Sequence, residues 1–424
     1  MIKLLLALVL ISTCSSAKIT LKDIESKPQS RAKDFMIWQY LKQNITPSQA
    51  DAAFKQVDNS KNRRLTYAYA KKTKNKKITY ESSCRNKAKL LKIKDQKCLE
   101  LAFTPYKATR LTNEQRSILS TRLASKSKQQ VLSILNEKHS VEAYRKYDVS
   151  TILSLFGSTG KKYRKKHLNI LLDKKFLDPL TSSWRIKHLI NTIVHNDELD
   201  KLQLSLLDID GSNLNERSNF LLALNDLRNS DTKASVTYFR FARSKAKYQL
   251  DIDKNNFWLY KLTKENKYLN SLLMSMDINM YTLYQREKLN IEFENYFISL
   301  KTDDSKPTNT LSDPFYWEEV RKKIRATKKG DLNLLANQYK QKEMLPVQTM
   351  IVQKASGYNK HGYIMPYDEY LDGLNPDTKA LVYALMRQES NMIPSALSHS
   401  YALGLMQIMP FVTDDISKRI KNPI

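Results

Sequence analysis

"TPSQADAAF", Thr46 to Phe54, places Thr46 before Pro47 and sets Gln49 three residues after the threonine. A threonine N-cap, proline at the first helical position and glutamine at the third form a capping box, in which two otherwise orphaned backbone donors are satisfied reciprocally. "TNEQRSILSTRLA", Thr112 to Ala124, repeats the Thr-x-x-Gln arrangement, with Ile118, Leu119 and Leu123 spaced for one buried face. From about Lys27 to Leu300 such start and stop signals recur without a strict period. "FWLYKLTKENKYLNSLLMSMDINMYTLYQREKL", Phe257 to Leu289, reads as a helix pair anchored by Trp258, Leu259, Leu262, Leu269 and Leu272. Short amphipathic helices cannot bury their faces alone and must stack on one another. The expected class is therefore all-α, with an α-superhelical solenoid over residues 18–300. Tyr281 and Tyr284 read as core residues of that stack rather than as sugar-stacking rings.

Glycine supports the assignment. The chain of 424 residues holds 8, none before Gly157, where about 7% is usual. Hairpin sheets need glycine at positive φ, and this chain does not supply it. A hydrophobic share of 41% is enough for two or three cores.

Composition then shifts. "KTDDSKPTNTLSDP", Lys301 to Pro314, lacks periodicity and reads as a linker, followed by a short helical segment from about Phe315 to Gln353. Four glycines fall after Lys354. The expected division is a small linker and helical domain over 301–361 and a separate domain from 362 to 424.

The first 17 residues read as an address: Lys3 is a positive n-region, Leu4 to Ile11 an apolar core, and Ser15 to Ala17 a small-residue cleavage site. "ISTC" ending at Cys14 is similar to a lipobox, with Thr13 an unusual residue there, so a lipoprotein is the lesser expectation. No later segment reaches 18 consecutive apolar residues, so no membrane span is expected. Export leaves Cys84 and Cys98, which in an oxidising compartment can close a loop of roughly 15 residues, contributing about 3 kcal/mol; two unpaired buried thiols are the alternative. The net charge of +28 would suggest nucleic acid in a cytoplasmic protein. Export removes that partner and leaves lipid headgroups, lipopolysaccharide and wall carboxylates, or simply a solvated lysine-rich surface.

The chemistry is concentrated in "ALMRQESNMIPSALSHSYALGLMQIMP", residues 384–410. Asn375 and Pro376 start a helix that can run to Ser390. Leu381, Ala384, Leu385 and Gln388 are read as its inward face, with Glu389 at the edge of that face. A partly desolvated carboxyl there has what a general acid needs. The bland reading is a surface salt bridge to Arg387 or a lysine. Beyond the helix, Pro394, Ser398, Gly404 and the lone amide Gln407 follow in a short polar loop and an apolar run.

"RQES" at Arg387 to Ser390, "P-x-x-x-S" at Pro394 to Ser398 and "A-x-G-L-M-Q-I-M-P" at Ala402 to Pro410 resemble the catalytic signature of the soluble lytic transglycosylases, which have a lysozyme-like fold. The resemblance covers about 25 residues; elsewhere it is architectural. It implies that Glu389 is the single acid/base, that Ser398 and Gln407 hydrogen-bond around the sugar N-acetyl group and the acid, and that Met409 lies against the sugar rings. It implies peptidoglycan glycan strands as partner, a periplasmic monomer, and neither cofactor nor metal. Tyr401 stands where the family usually has glycine, and Ile393 where it has Asp or Asn, so bulk near the pocket is expected from Tyr401. Between Ser390 and Thr413 there is no Asp or Glu; Asp414 and Asp415 come next. One carboxyl group can act as acid and then base, giving a 1,6-anhydromuramoyl end without water. A goose-type lysozyme hydrolase or a non-catalytic wall-binding scaffold are the alternatives. A lysozyme-like domain opening near Tyr363 needs on the order of 150 residues against about 60 present. The family's Tyr-Asn-Ala-Gly segment is not found, so the expectation is a domain incomplete at its C-terminus.

Overall fold

The computed structural model describes residues 18–73, 76–207, 209–229 and 231–420. The expected export segment, residues 1–17 with Cys14, lies outside the described residues. The described chain is all-α apart from one parallel pairing of two short strands, Tyr296–Phe297 with His361–Gly362. Among the described residues, no helix is long and apolar enough to cross a membrane.

The chain divides into two compact units, residues 80–292 and a discontinuous unit that joins the segment up to Thr79 with residues 293–420. The division falls between Glu292 and Phe293. The N-terminal segment groups with the C-terminal region instead of the solenoid. Its apolar faces explain why: Ile24, Ile37, Trp38, Leu41, Ala50, Ala53, Leu65 and Tyr69 form a core that is completed by Tyr401 and flanked by Leu397.

Residues 80–292 form a helix stack over one continuous apolar core. Successive helices Glu216–Arg228, Thr232–Lys245, Gln249–Thr263 and Asn266–Met274 each pack on the next. Both capping boxes form, Thr46 with Gln49 ahead of Pro47–Phe54 and Thr112 with Gln115 ahead of Asn113–Arg122. The buried face of the second helix differs in one place. Leu119 and Leu123 are buried as expected, but Ile118 is 56% exposed. Arg116 is buried instead, its guanidinium donating to the carbonyls of Ala108 and Leu135 and to Asn113 and Asn136. A guanidinium with that many acceptors replaces lost hydration, and its position three residues before Leu119 puts it on the inner face.

The 257–289 stretch makes parts of three helices, Gln249–Thr263, Asn266–Met274 and Met280–Lys288. Leu259 and Leu272 are buried, and Tyr268 is buried one residue before the expected Leu269. Tyr281 and Tyr284 pack on Phe257, with ring centroids 5.5 and 5.4 Å away, but Tyr281 is only half-buried and Tyr284 is exposed, so neither is the core residue expected. Buried Asp253 ties the three helices together by accepting from Gln249, from Ser275 Oγ at 2.8 Å and from Asn279 Nδ2 at 2.9 Å.

In the discontinuous unit, Pro314–Ala326, Leu332–Ala336 and Leu345–Ala355 enclose a second core of Trp317, Val320, Ile324, Leu335, Val347 and Ile351. The stretch before Pro314 is without helix back to the strand at Tyr296, as its composition predicts.

Cys84 and Cys98 are joined by a disulfide, both buried, with Cα atoms 5.1 Å apart. Mass spectrometry of unreduced protein will show the two peptides linked. The double substitution Cys84→Ser with Cys98→Ser will lower stability by about 2–4 kcal/mol, read as a fall in thermal midpoint.

Candidate active site

The helix Pro376–Ser390 begins as the sequence predicts, with Asn375 accepting from the Thr378 amide and proline at the first turn. Its inward face is not the expected one. Tyr383, Met386 and Ser390 are buried, and with Leu371 and Met392 the first two form a small core, whereas Leu381 is 59% and Leu385 41% exposed. Two polar anchors decide the rotation. Tyr383 donates to Asp368 Oδ1 at 2.8 Å, and Lys379, one turn earlier, donates to the same carboxylate. Arg387, one turn later, donates from Nε to Gly362 O at 3.2 Å and sets its guanidinium over the Tyr363 ring.

Glu389 is consequently exposed rather than partly desolvated. Among the described residues it makes no hydrogen bond or ion pair, and the salt bridge to Arg387 does not form because Arg387 is turned to Gly362 and Tyr363. The carboxylate therefore stands open to a ligand on the solvent side of the helix's last turn.

The helix stops immediately after it. Asn391 and Met392 both take left-handed backbone conformations, φ 53° and 64°, and their amides fold back to Arg387 O and Met386 O. Asparagine tolerates that conformation as a helix stop, so termination comes three residues before Pro394.

The chain then forms a tight, hydrogen-bonded loop. Leu397 bridges Leu403, and Leu403 bridges Ile408. Ser398 Oγ accepts from the amides of Ala402 at 2.8 Å and Ser400 at 3.2 Å. Gln407 donates from Nε2 to Ala396 O and Gly404 O, both at 2.9 Å, while the Gly404 amide also donates to Ala396 O. The structure thus brings Ser398 and Gln407 into one braced loop, each holding backbone. The Ser398 hydroxyl proton and the Gln407 carbonyl oxygen are left without a protein partner among the described residues. Met409 is partly buried and Met406 packs on the small core beneath the helix. Asp415 pairs with Arg419 at 2.8 Å, and Asp414 lies within electrostatic reach of Lys42.

The loop is seated by side chains from outside itself. Ile393 is fully buried in the 311–351 core. Tyr401 is also fully buried, its ring 5.3 Å from both Phe35 and Trp38. Its bulk is thus spent in the N-terminal core, and the expected crowding beside the acid gives way to packing. Burial holds the Tyr401 phenol well above its ordinary range. Sequence reasoning missed Asp368 and Gly362. The Lys379/Tyr383 spacing of four was a usable signal for Asp368's partners; a Cβ on Gly362 would run into Thr349 and Phe297, a constraint only the fold reveals.

Residues 375–424 match the family model described as the Transglycosylase SLT domain. No curated protein matches the chain. Similar solved structures include the 70-kDa soluble lytic transglycosylase in complex with bulgecin A, at 12% identity, covering 99% of this chain and 76% of that one, with a TM-score of 0.41. Another is the 70-kDa soluble lytic transglycosylase from Escherichia coli, at 15% identity, 95% and 68% coverage and a TM-score of 0.41. A third is an inactive mutant of the lytic transglycosylase Slt from Pseudomonas aeruginosa, at 13% identity, 92% and 67% coverage and a TM-score of 0.41.

Hydrogen bonds from Lys379 and Tyr383 hold the Asp368 carboxyl below its ordinary range. A depressed carboxylate stabilises the fold above its unfolded value and loses that contribution as pH falls through the folded one. Asp368→Asn will lower the thermal midpoint at neutral pH, and its difference from the unsubstituted protein will shrink below about pH 4.

Proposed function

We propose that the chain is an exported peptidoglycan lytic transglycosylase in which Glu389 is the acid and then the base. The observation that carries this reading is an open, unpaired Glu389 at the end of a helix inside the segment matching the transglycosylase domain model. The substrate is the β-1,4 bond between N-acetylmuramic acid and N-acetylglucosamine in glycan strands. Protonated Glu389 gives its proton to the departing 4-oxygen of the glucosamine as the bond to C1 breaks. The resulting carboxylate takes the proton of the muramoyl 6-hydroxyl, whose oxygen closes on C1. Proton and electron balance are met without water, and the product carries a 1,6-anhydro ring.

The carboxylate count favours ring closure over hydrolysis. Most glycosidases place two carboxyl groups across the scissile bond. The next acidic residues after Glu389 are Asp414 and Asp415, and Asp415 is committed to Arg419. Ser398 suits the role of donor to an N-acetyl carbonyl, since its oxygen accepts two amides and its hydroxyl proton remains to give. Gln407, whose amide nitrogen is engaged with backbone, contributes its carbonyl oxygen and the rigidity of the loop, with Met409 beside the sugars. A periplasmic monomer acting on the wall fits such a substrate, and the net charge of +28 suits its peptide carboxylates.

Digestion of purified murein will release anhydromuropeptides, and Glu389→Gln will lower the rate by about a thousandfold or more. Reducing-end products heavier by one water would mean hydrolysis instead, and an undiminished Glu389→Gln rate would remove Glu389 from the chemistry.

A further inference from the structure

The loop of residues 396–408 is held from a part of the sequence more than 300 residues away. Arg31 donates from Nη1 to Leu397 O at 2.8 Å, and its Nη2 lies 2.8 Å from His399 Nε2, an arrangement in which the imidazole nitrogen accepts. Asn62 donates to His399 O at 3.3 Å. Two residues further on, Tyr401 enters the core between Phe35 and Trp38. Three alternate residues, 397, 399 and 401, are therefore gripped by the same N-terminal helices, and Ser398 lies between the first two.

The backbone reinforces this reading. Tyr401 has φ 62°, a left-handed conformation that costs a residue with a Cβ and is ordinarily given to glycine. Among the described residues, the buried Tyr401 hydroxyl has no hydrogen-bond partner. Neither cost serves the loop alone; both are offset by an aromatic ring entering the core. The grip reaches Gln407 through the Leu397–Leu403 and Leu403–Ile408 bridges and through Ala396 O, which accepts from both Gly404 and Gln407.

We propose that the helix Arg31–Tyr40 is a positioning element of the Glu389 site, with Arg31 and Tyr401 as positioning residues that fix the loop bearing Ser398 and Gln407. The functional half of this proposal rests on the reading of Glu389 above; the structural half does not. Arg31 is suited to the task because one planar guanidinium supplies two separate donors to two acceptors, which a lysine cannot do.

The test is hydrogen exchange by mass spectrometry on the full chain, combined with turnover of murein. In Arg31→Ala the amides of Ser398, Ala402, Leu403, Gly404 and Ile408 will exchange about tenfold faster, while the helices Glu216–Arg228 and Thr232–Lys245 stay unchanged. Tyr401→Gly, which removes both the ring and the backbone cost, will loosen the same amides. Tyr401→Phe will remain within about twofold of the parent, because the hydroxyl makes no bond. Anhydromuropeptide release will fall about tenfold in Arg31→Ala and persist in Tyr401→Phe. Loop exchange at the parent rate in Arg31→Ala, or equal acceleration in Arg63–Thr73, overturns the proposal, as does a loosened loop with undiminished turnover. If the parent chain releases no anhydro product, the proposed function fails, and loop exchange still decides whether Arg31 and Tyr401 hold the loop.

Discussion

The discontinuous unit depends on where the Tyr401 ring goes. The segment from Asn391 to Met409 has too few large apolar residues to make a core of its own, and it contains five residues at positive φ. It keeps one conformation because three separate cores each take side chains from it: Tyr401 and Leu397 in the N-terminal helices, Ile393 and Ala396 among residues 311–355, and Met392, Leu405 and Met406 under the helix bearing Glu389. Burying the aromatic ring is stabilising, and it must offset both the left-handed backbone of Tyr401 and its buried hydroxyl. The balance favours Tyr401 only while Phe35 and Trp38 are there to receive it.

Much of the local structure was legible. The Thr-x-x-Gln capping boxes, the Asn375–Pro376 helix start and the shortage of glycine point to helices, because those signals act within four residues. The disulfide is similarly local. What sequence could not settle was rotation about a helix axis when both sides carry apolar residues. In 376–390, Leu381 and Leu385 made as good a face as Tyr383 and Met386. The choice was made by Asp368 and Gly362, which lie outside the helix and act on Lys379, Tyr383 and Arg387. Ile118 and Arg116 repeat the lesson, since hydropathy alone puts leucine-like residues inside and cannot foresee four acceptors arranged around a guanidinium.

The sequence offered candidate residues but not their environment. Glu389, Ser398 and Gln407 were singled out by the resemblance of their motif. Their surroundings differ from expectation because Arg387 turns away, leaving Glu389 open, and because Ser398 and Gln407 hold the backbone of their own loop. The two positions at which the motif departs from the pattern it resembles, Ile393 and Tyr401, are both fully buried. Substitutions that look like erosion of a motif can instead be the means by which a loop is attached to its scaffold.

The division of the chain also orders its assembly in time. The helices that receive Tyr401 leave the ribosome early, and Tyr401 itself follows only after all of residues 80–292 have been made. At about 5–20 residues per second, that separation is on the order of ten seconds or more. Until then Phe35 and Trp38 lack the ring they pack against in the finished fold. The N-terminal helices are thus synthesised long before the ring that completes their core.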